Sequence, residues 1–284
     1  MTKIILSAFS DETGSSIKEQ IEGLKRNEIS YTELRSVSNK SVVNFTTEQS
    51  KEYAKTLSEE GIKVWSIGSA LGKVDISVNF EEYKDIVKKI CETAKIFGTD
   101  KIRMFSFYNA YEKKELVMEY LQEMVEIAKT YDVVLYHENE KDIYGDVCER
   151  VEEIMSKVYG LKFVYDPANF LQVGEEAQKT LPRLHHKTDY FHIKDVIFKT
   201  GELVPAGFGD GDLDGLVKRI QKDTTLTIEP HLSLFDAYKS IDNTEMKHKF
   251  KFTTKEEAFD CAVRSIKEII LNNGYVYKNG EYVK

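Results

Sequence analysis

Two kinds of hydrophobic pattern alternate eight times along the 284-residue chain, and this alternation limits the fold more than any other feature. Short runs of β-branched and aromatic residues predict strands, and the amphipathic stretches that follow them predict helices. Eight strand-then-helix units indicate parallel strands joined by right-handed crossovers. The length is ordinary for eight such units closed into a ring, so the sequence predicts an α/β protein with a (β/α)8 TIM barrel fold.

The predicted strands are nearly continuous apolar runs, as expected for strands covered on both faces. They are Ile4–Phe9, Tyr31–Arg35, Lys63–Ser69, Lys101–Phe107, Val133–Asn139, Leu161–Asn169, Tyr190–Asp195 and Thr224–His231. The predicted helices are Ser16–Asn27, Thr47–Glu60, Phe80–Phe97, Lys113–Tyr131, Asp146–Val158, Gly174–Leu184, Asp212–Lys222 and Lys255–Asn272. An open doubly wound sheet is the competing arrangement, but the first strand is not followed by the glycine-rich phosphate loop of its nucleotide-binding version.

The chain has no low-complexity segment and no linker rich in Pro, Gly and Ser, which favours a single domain over residues 1–284. Residues 232–254 form a long connection between the last predicted strand and the last predicted helix. Long loops at this position often cover a site, so this segment is a predicted lid. Residues 273–284 form a C-terminal tail that could pack on the barrel or on a partner.

Charge and cysteine content restrict the partners and the setting. The formal net charge of −8 works against non-specific nucleic-acid binding, and no run of 18 apolar residues predicts a membrane span. Cys91, Cys148 and Cys261 are odd in number and far apart, without a CxxC pair. This pattern is typical of a reduced, cytoplasmic protein rather than of a disulfide framework. Homo-oligomerisation is compatible with the sequence.

Charged residues occur at the ends of the last four predicted strands, where a barrel carries its chemistry. They are Glu138, Asp166, His192 and Glu229. Three carboxylates at one mouth would repel one another and raise one another's pKa, and a divalent cation removes that penalty. One imidazole and three carboxylates suit Mn²⁺, Mg²⁺ or Co²⁺, and Zn²⁺ is also compatible. The sequence therefore predicts one divalent metal site.

Further polar residues near the same mouth are candidates to contact the substrate. These candidates are Lys194, Asn169, Arg103, His231, Glu33 and Lys73. An ion pair with Glu33 explains Arg103 equally well, and His231 could instead orient Glu229. Glu140 and Asp195 are predicted to support the ligand residues from behind. Asp11 and Glu12 follow the first strand and are interpreted as caps of the next helix.

Several short segments, taken in order and spacing, resemble the xylose isomerase-like TIM barrels. This superfamily includes sugar phosphate isomerases and epimerases and is related to the AP endonuclease 2 family, which contains endonuclease IV. The resemblance runs from Ser7 to about Leu271. The segments are SAFSDE at 7–12, YTELR at 31–35, HENEKDIYGD at 137–146, YDPANF at 165–170, FHIKD at 191–195, PAGFGDGDLD at 205–214 and IEPHL at 228–232.

The resemblance implies a ligand set and a reaction. Metal ligands in the family are Glu, Asp, His and Glu from the last four strands, the same residue types at the same places as here. In the family's epimerases the two glutamates also transfer protons, which implies that role for Glu138 and Glu229. We therefore expect an isomerase or epimerase of a sugar or sugar phosphate that works through a metal-stabilised enediolate. A metal-dependent dehydratase of a keto-cyclitol or keto acid is the alternative.

The sequence departs from two branches of this superfamily. Ketose 3-epimerases carry a Glu, a His and an Arg where this chain has Tyr144, Asn169 and Phe198, which argues against a free-ketose 3-epimerase. The endonuclease branch binds three zinc ions with many extra histidines, and this chain has six histidines in all. An endonuclease IV-like phosphodiesterase is therefore the least favoured alternative. Hydroxypyruvate isomerase and inosose dehydratase stay open as relatives.

Overall fold

Eight strands pair in parallel and close into a barrel in a computed structural model that describes residues 2–232 and 250–284. The barrel order is β1, β2, β5, β6, β7, β8, β9, β12 and back to β1. Their bounds are β1 Lys3–Ala8, β2 Tyr31–Leu34, β5 Lys63–Gly68, β6 Lys101–Met104, β7 Val134–Glu138, β8 Lys162–Tyr165, β9 Tyr190–Ile193 and β12 Thr224–Ile228. The predicted fold class is confirmed.

Helices between the strands cover the outside of the barrel. They are α1 Ile17–Arg26, α2 Thr47–Glu59, α3 Phe80–Ile96, α4 Lys114–Lys129, α5 Cys148–Lys157, α6 Pro167–Gln172, α7 Ala177–Leu184, α8 Leu213–Lys218 and α9 Lys255–Asn272. Capping boxes begin α1 and α2, where Ser16 and Thr46 accept from the third helical residue. Gly98 and Gly274 follow α3 and α9 with positive φ, the backbone conformation that terminates helices and that glycine adopts at little cost.

All eight predicted strands extend past their observed C-terminal ends, and the sixth and the fourth show why. The sixth was predicted to reach Asn169 but ends at Tyr165, because Pro167 begins the short helix α6. The fourth was predicted to reach Phe107 but ends at Met104. After that point the amides of Phe105 and Phe107 bond to the loop after β5 instead of to a strand. In both places the apolar run continues beyond the sheet, so periodicity alone could not locate the end.

Within residues 2–232 and 250–284, three small hairpins lie outside the parallel ring. They are β3 Ser36–Val37 with β4 Lys40–Ser41, β10 Asp195–Ile197 with β11 Glu202–Val204, and β13 Val276–Lys278 with β14 Glu281–Val283. The last of these is the C-terminal tail. It packs on the barrel, since β14 pairs antiparallel with β1 and Thr2 exchanges backbone hydrogen bonds with Lys284. Most of the predicted lid lies outside the described residues.

The core lies between the strands and the helices. Buried side chains such as Ile4, Ile67, Ile102 and Leu226 come from the strands and meet apolar faces of the helices. Burial of each such side chain contributes about 1.5–3 kcal/mol to folding. No helix within the described ranges is long and apolar enough to span a bilayer.

Candidate metal centre

The structure brings the four predicted ligand residues together at the carboxyl ends of adjacent strands. Glu138 ends β7, Asp166 directly follows β8, His192 lies on β9 and Glu229 directly follows β12. All four are buried, and one nitrogen or oxygen atom from each lies within 4.8 Å of the others. Adjacent parallel strands present their ends at one mouth, so the strand order alone places these side chains side by side.

His192 lies at the centre of this cluster, with its two ring nitrogens facing different groups. Its Nδ1 atom is 2.9 Å from Glu138 Oε1 and 3.2 Å from Glu229 Oε2. Its Nε2 atom points the other way, 3.2 Å from Oε2 of Glu33. The ring therefore offers Nδ1 to the cluster and is held from behind by a carboxylate.

Hydrogen bonds to neighbouring residues hold both the backbone and the carboxylate of Asp166 in place. Asn139 hydrogen-bonds with both the amide and the carbonyl of Asp166, each at 2.9 Å. Oδ1 of Asp166 accepts from the backbone amide of Asn169. Asp166 is therefore the N-cap of α6. Oδ2 faces the cluster and forms an ion pair of 2.9 Å with Nζ of Lys194.

Each glutamate has positively charged or amide groups beside it. Glu138 lies 3.3 Å from Nε of Arg103 and accepts from Asn169 Nδ2 at 3.2 Å. Oε1 of Glu229 lies 2.9 Å from Arg35 and 3.2 Å from Nε2 of His231. These contacts leave Oε2 of Glu229 directed toward His192.

The charges around the cluster shift its pKa values in different directions. Burial opposes ionisation of Glu138, but the positive charges of His192 and Arg103 hold the pKa of its carboxyl at about 2. Burial raises the pKa of Asp166 to about 6, against the opposing effect of Lys194. For Glu229, burial is outweighed by Lys194 and His231, and its pKa lies well below its ordinary value.

The donor set fits a divalent cation. Oδ2 of Asp166 and Oε2 of Glu229 are buried, and in the part of the chain that the structure describes their close contacts are ion pairs without hydrogen-bond geometry. Lys194 lies 2.9 Å from the first oxygen and 3.7 Å from the second, and its single charge offsets only part of that of three clustered carboxylates, so a further cation would lower the cost of burying them. Together with Glu138 and Nδ1 of His192, the two oxygens form a set of oxygen and nitrogen donors that suits a hard or borderline metal ion.

Arg35 is a functional candidate that the sequence analysis missed. Its guanidinium bridges Glu229, Asp11 and Glu12 at 2.9, 2.9 and 3.1 Å. The sequence did contain a signal for Arg35. Residues two apart on a strand point to the same face, so the choice of Glu33 as a candidate should have brought in Arg35 as well. The interpretation of Asp11 and Glu12 as caps was wrong, since Ser16 caps α1.

His231 lies at the rim beside Glu229. Its backbone has a φ of 46°, an uncommon conformation for a residue with a side chain. The turn directs its ring toward Glu229 and Glu12, and burial is outweighed by these two carboxylates, so the pKa of His231 is raised to about 9. A recess of about 370 Å³ opens here, lined in part by His231, Arg35 and Lys255.

Lys73 and Glu140 form an ion pair of 2.9 Å on the side of the mouth opposite His231, and the ammonium of Lys73 lies 4.1 Å from the ring centre of Phe105.

Asp195 lies in different surroundings, next to the PAGFGDGDLD segment. Its carboxylate accepts from the amides of Val196 and of three glycines in the PAGFGDGDLD segment. Among the described residues it makes no hydrogen bond to the four ligand residues, and it holds the glycine-rich loop beside them instead.

The three positions that depart from the ketose 3-epimerase pattern lie in different surroundings. Asn169 is inside the centre and donates to Glu138. Tyr144 is buried but turns away, and its hydroxyl donates to Glu153 at 2.7 Å. Phe198 is exposed on the loop after β10. One of the three therefore touches a ligand residue.

Comparison with known proteins gives one family and many structures. A family model described as "Xylose isomerase-like TIM barrel" matches residues 24–268. Curated protein sequences give no match. The IOLI protein with a bound zinc atom superposes with a TM-score of 0.71 at 19% identity, covering 95% of this chain and 99% of that one.

Two further structures of this fold are similar. The probable 3-DHS dehydratase AsbF of Bacillus anthracis has a TM-score of 0.66 at 15% identity, covering 94% of this chain and 99% of that one. An L-ribulose 3-epimerase has a TM-score of 0.67 at 14% identity, covering 96% of each chain. At these identities the likeness is one of fold.

Proposed function

Because this chain belongs to the xylose isomerase-like TIM barrel family, we propose that it is a divalent-metal-dependent isomerase or epimerase of a sugar or sugar phosphate. The observation that carries the proposal is the buried convergence of Glu138, Asp166, His192 and Glu229. An L-ribulose 3-epimerase and a zinc-binding protein share the fold, which supports the same class of chemistry. A small molecule is the expected partner, since the net charge of −8 disfavours nucleic acid.

In this proposal the same four residues hold one divalent ion, with Mn²⁺, Mg²⁺, Co²⁺ or Zn²⁺ all compatible with the donors. When bound, such an ion polarises a carbonyl oxygen and stabilises negative charge that develops beside it. The protein's own cations, Lys194 and Arg103, are buried next to the carboxylates and keep them ionised.

Glu138 and Glu229 are the proposed proton-transfer pair. Glu229 is fixed through Oε1 by Arg35 and His231, which directs Oε2 toward His192 and the proposed metal, next to the place where a substrate would bind. Glu138 is fixed by Asn169 and by His192. One carboxylate would remove the proton next to the substrate carbonyl and the other would return one, a step that contributes roughly 10²–10⁴-fold to the rate.

Several neighbours are proposed to contact the substrate. Lys194 is buried against Asp166, and its ammonium can donate to a substrate oxygen. Lys73 and His231 lie on opposite sides of the mouth and can bind hydroxyl or phosphate oxygens. Arg103 and Asn169 touch Glu138 and are proposed to hold it in place as well as to face the substrate.

Proton exchange in heavy water tests this function. The metal-loaded protein is incubated with a panel of keto sugars and their phosphates, and products are followed by NMR and mass spectrometry. We expect deuterium at one carbon next to the carbonyl. Glu229→Gln should abolish this exchange, whereas Glu119→Gln, on the exposed face of α4, should not change it.

Two results would contradict the proposal. Release of water without an isomerised product would assign the protein to the dehydratases instead. Absence of metal binding, together with unchanged activity of Glu229→Gln, would remove it from metal-dependent catalysis altogether.

A further inference from the structure

Glu33 reaches the back of His192 through the interior of the barrel. It lies on β2, and the strand order places β1 and β12 between β2 and β9, which carries His192. Glu33 is completely buried, and its Oε2 atom lies 3.2 Å from Nε2 of His192. The contact therefore crosses the barrel instead of joining neighbouring strands.

Glu33 is itself held on its other oxygen. The hydroxyl of Tyr190 donates to Oε1 of Glu33 at 3.1 Å. Tyr190 and His192 are two residues apart on β9, so both side chains point into the barrel. Strand β9 thus supplies both the imidazole of His192 and the Tyr190 hydroxyl, and the two groups hold the Glu33 carboxylate between them.

We propose that Glu33 is a positioning residue that keeps Nε2 of His192 protonated and Nδ1 directed at the metal. A ligating histidine commonly donates its other N–H to a carboxylate, which sets the tautomer and the ring orientation. This assignment rests on the proposed metal site. It replaces the predicted contact of Glu33 with substrate, because both carboxylate oxygens are engaged on the side of His192 away from the cluster.

A purely structural explanation would make Glu33 the counter-charge of Arg103. The distances favour the positioning role. Nε of Arg103 lies 3.3 Å from Glu138 but 3.7 Å from Glu33, so the closer carboxylate of Arg103 is Glu138. The oxygens of Glu33 instead lie nearer to Tyr190 and His192.

Cobalt titration of the metal-depleted full chain tests the proposal without reference to activity. Calorimetry compares the wild type with Glu33→Gln, Tyr190→Phe and the control Tyr136→Phe, whose ring packs against Tyr190 at 5.4 Å. We expect Glu33→Gln to weaken Co²⁺ binding roughly 10- to 100-fold and Tyr190→Phe by roughly threefold or more, with Tyr136→Phe unchanged. Wild-type affinity in Glu33→Gln would overturn the proposal.

Should Glu33→Gln fail to fold, Tyr190→Phe decides the question, because it removes one hydroxyl and keeps the ring. Weaker Co²⁺ binding in Tyr190→Phe supports the proposal, and an unchanged affinity overturns it.

Histidine ¹⁵N spectra of the Zn²⁺-loaded wild type provide a second readout that a structural role would not move. We expect His192 to be protonated at Nε2 and metal-bound at Nδ1. Metal-bound Nε2 would overturn the positioning role alone. A wild type that binds neither Co²⁺ nor Zn²⁺ would overturn the proposed function as well, so the two failures are distinguishable.

Discussion

Nζ of Lys194 lies 2.9 Å from Oδ2 of Asp166, one of two buried carboxylate oxygens next to this ammonium. The second such oxygen, Oε2 of Glu229, is 3.7 Å from the same ammonium. Lys194 is thus a built-in cation beside the oxygens that would ligate a metal, and it compensates their charge when no metal is bound.

Removal of this cation should make stability depend more strongly on metal. In Lys194→Met, the buried carboxylates lose a partner, and breaking a buried ion pair in this way costs about 3–5 kcal/mol. We expect that loss in urea unfolding with a chelator present, and a larger stabilisation by added metal than in the wild type. Lys218→Met, which removes an exposed pair with Asp214, should cost less than about 1 kcal/mol. Equal chelator-treated stability of Lys194→Met and wild type would refute the prediction.

Asp195 should be required for the loop that contains PAGFGDGDLD. Its carboxylate accepts from four backbone amides, and an Asn side chain can satisfy only part of them because its NH₂ group is a donor. Asp195→Asn should lower the free energy of unfolding by about 1–3 kcal/mol. Asp210→Asn, an exposed residue of the same loop, is the control. Equal effects of both changes in urea unfolding would argue against this role.

The three thiols should differ in reactivity. Burial raises the pKa of Cys91 to about 12 and that of Cys148 to about 11, and both side chains are covered. Cys261 is only partly buried on α9. Because the thiolate is the reactive form, a chromogenic disulfide reagent should titrate one thiol rapidly in the native protein and all three in denaturant. Rapid reaction of two or three thiols in the native state would contradict this.

Acid should remove the contribution of Glu153. Its carboxylate accepts from Lys114, Lys157 and Tyr144, and these contacts lower its pKa from 4.5 to about 2. A lowered folded-state pKa contributes stability above pH 4.5 that is lost as the pH falls toward 2. Glu153→Gln should therefore be less stable than wild type at pH 7, with the difference shrinking between pH 5 and pH 2. A difference that stays constant over this range in thermal melts would be the contrary result.

The strand ends that carry the four ligand residues could be recognised from the sequence because their signal is local. Apolar runs indicate strands, and a charge at the end of such a run, as at Glu138 and Glu229, stands out against it. The boundary after β8 was placed too late, because Ala168 and Phe170 continue the apolar run into α6. The proline at 167 was the better signal, since it favours the first turn of a helix.

The partners behind the ligands could not be predicted in the same way. Arg35 lies beside Glu229, and Glu33 lies behind His192, although about 160 residues or more separate the members of each pair in sequence. Which strands face each other across the barrel depends on closure and stagger, which no local pattern encodes. The sequence therefore predicts which charged residues meet at the mouth more readily than which ones hold them there.

The pairing of β1 has a consequence for synthesis on the ribosome. One edge of β1 bonds to β12, which lies more than 200 residues later. The other edge bonds to the early partner β2 at two residue pairs and to the late strand β14 at two more. Translation proceeds at roughly 5–20 residues per second, so β1 keeps an unpaired edge while most of the chain is made. Such an edge is a template for wrong pairing. We expect the nascent chain to be most vulnerable to aggregation at its first strand, and ring closure to be among the last folding events.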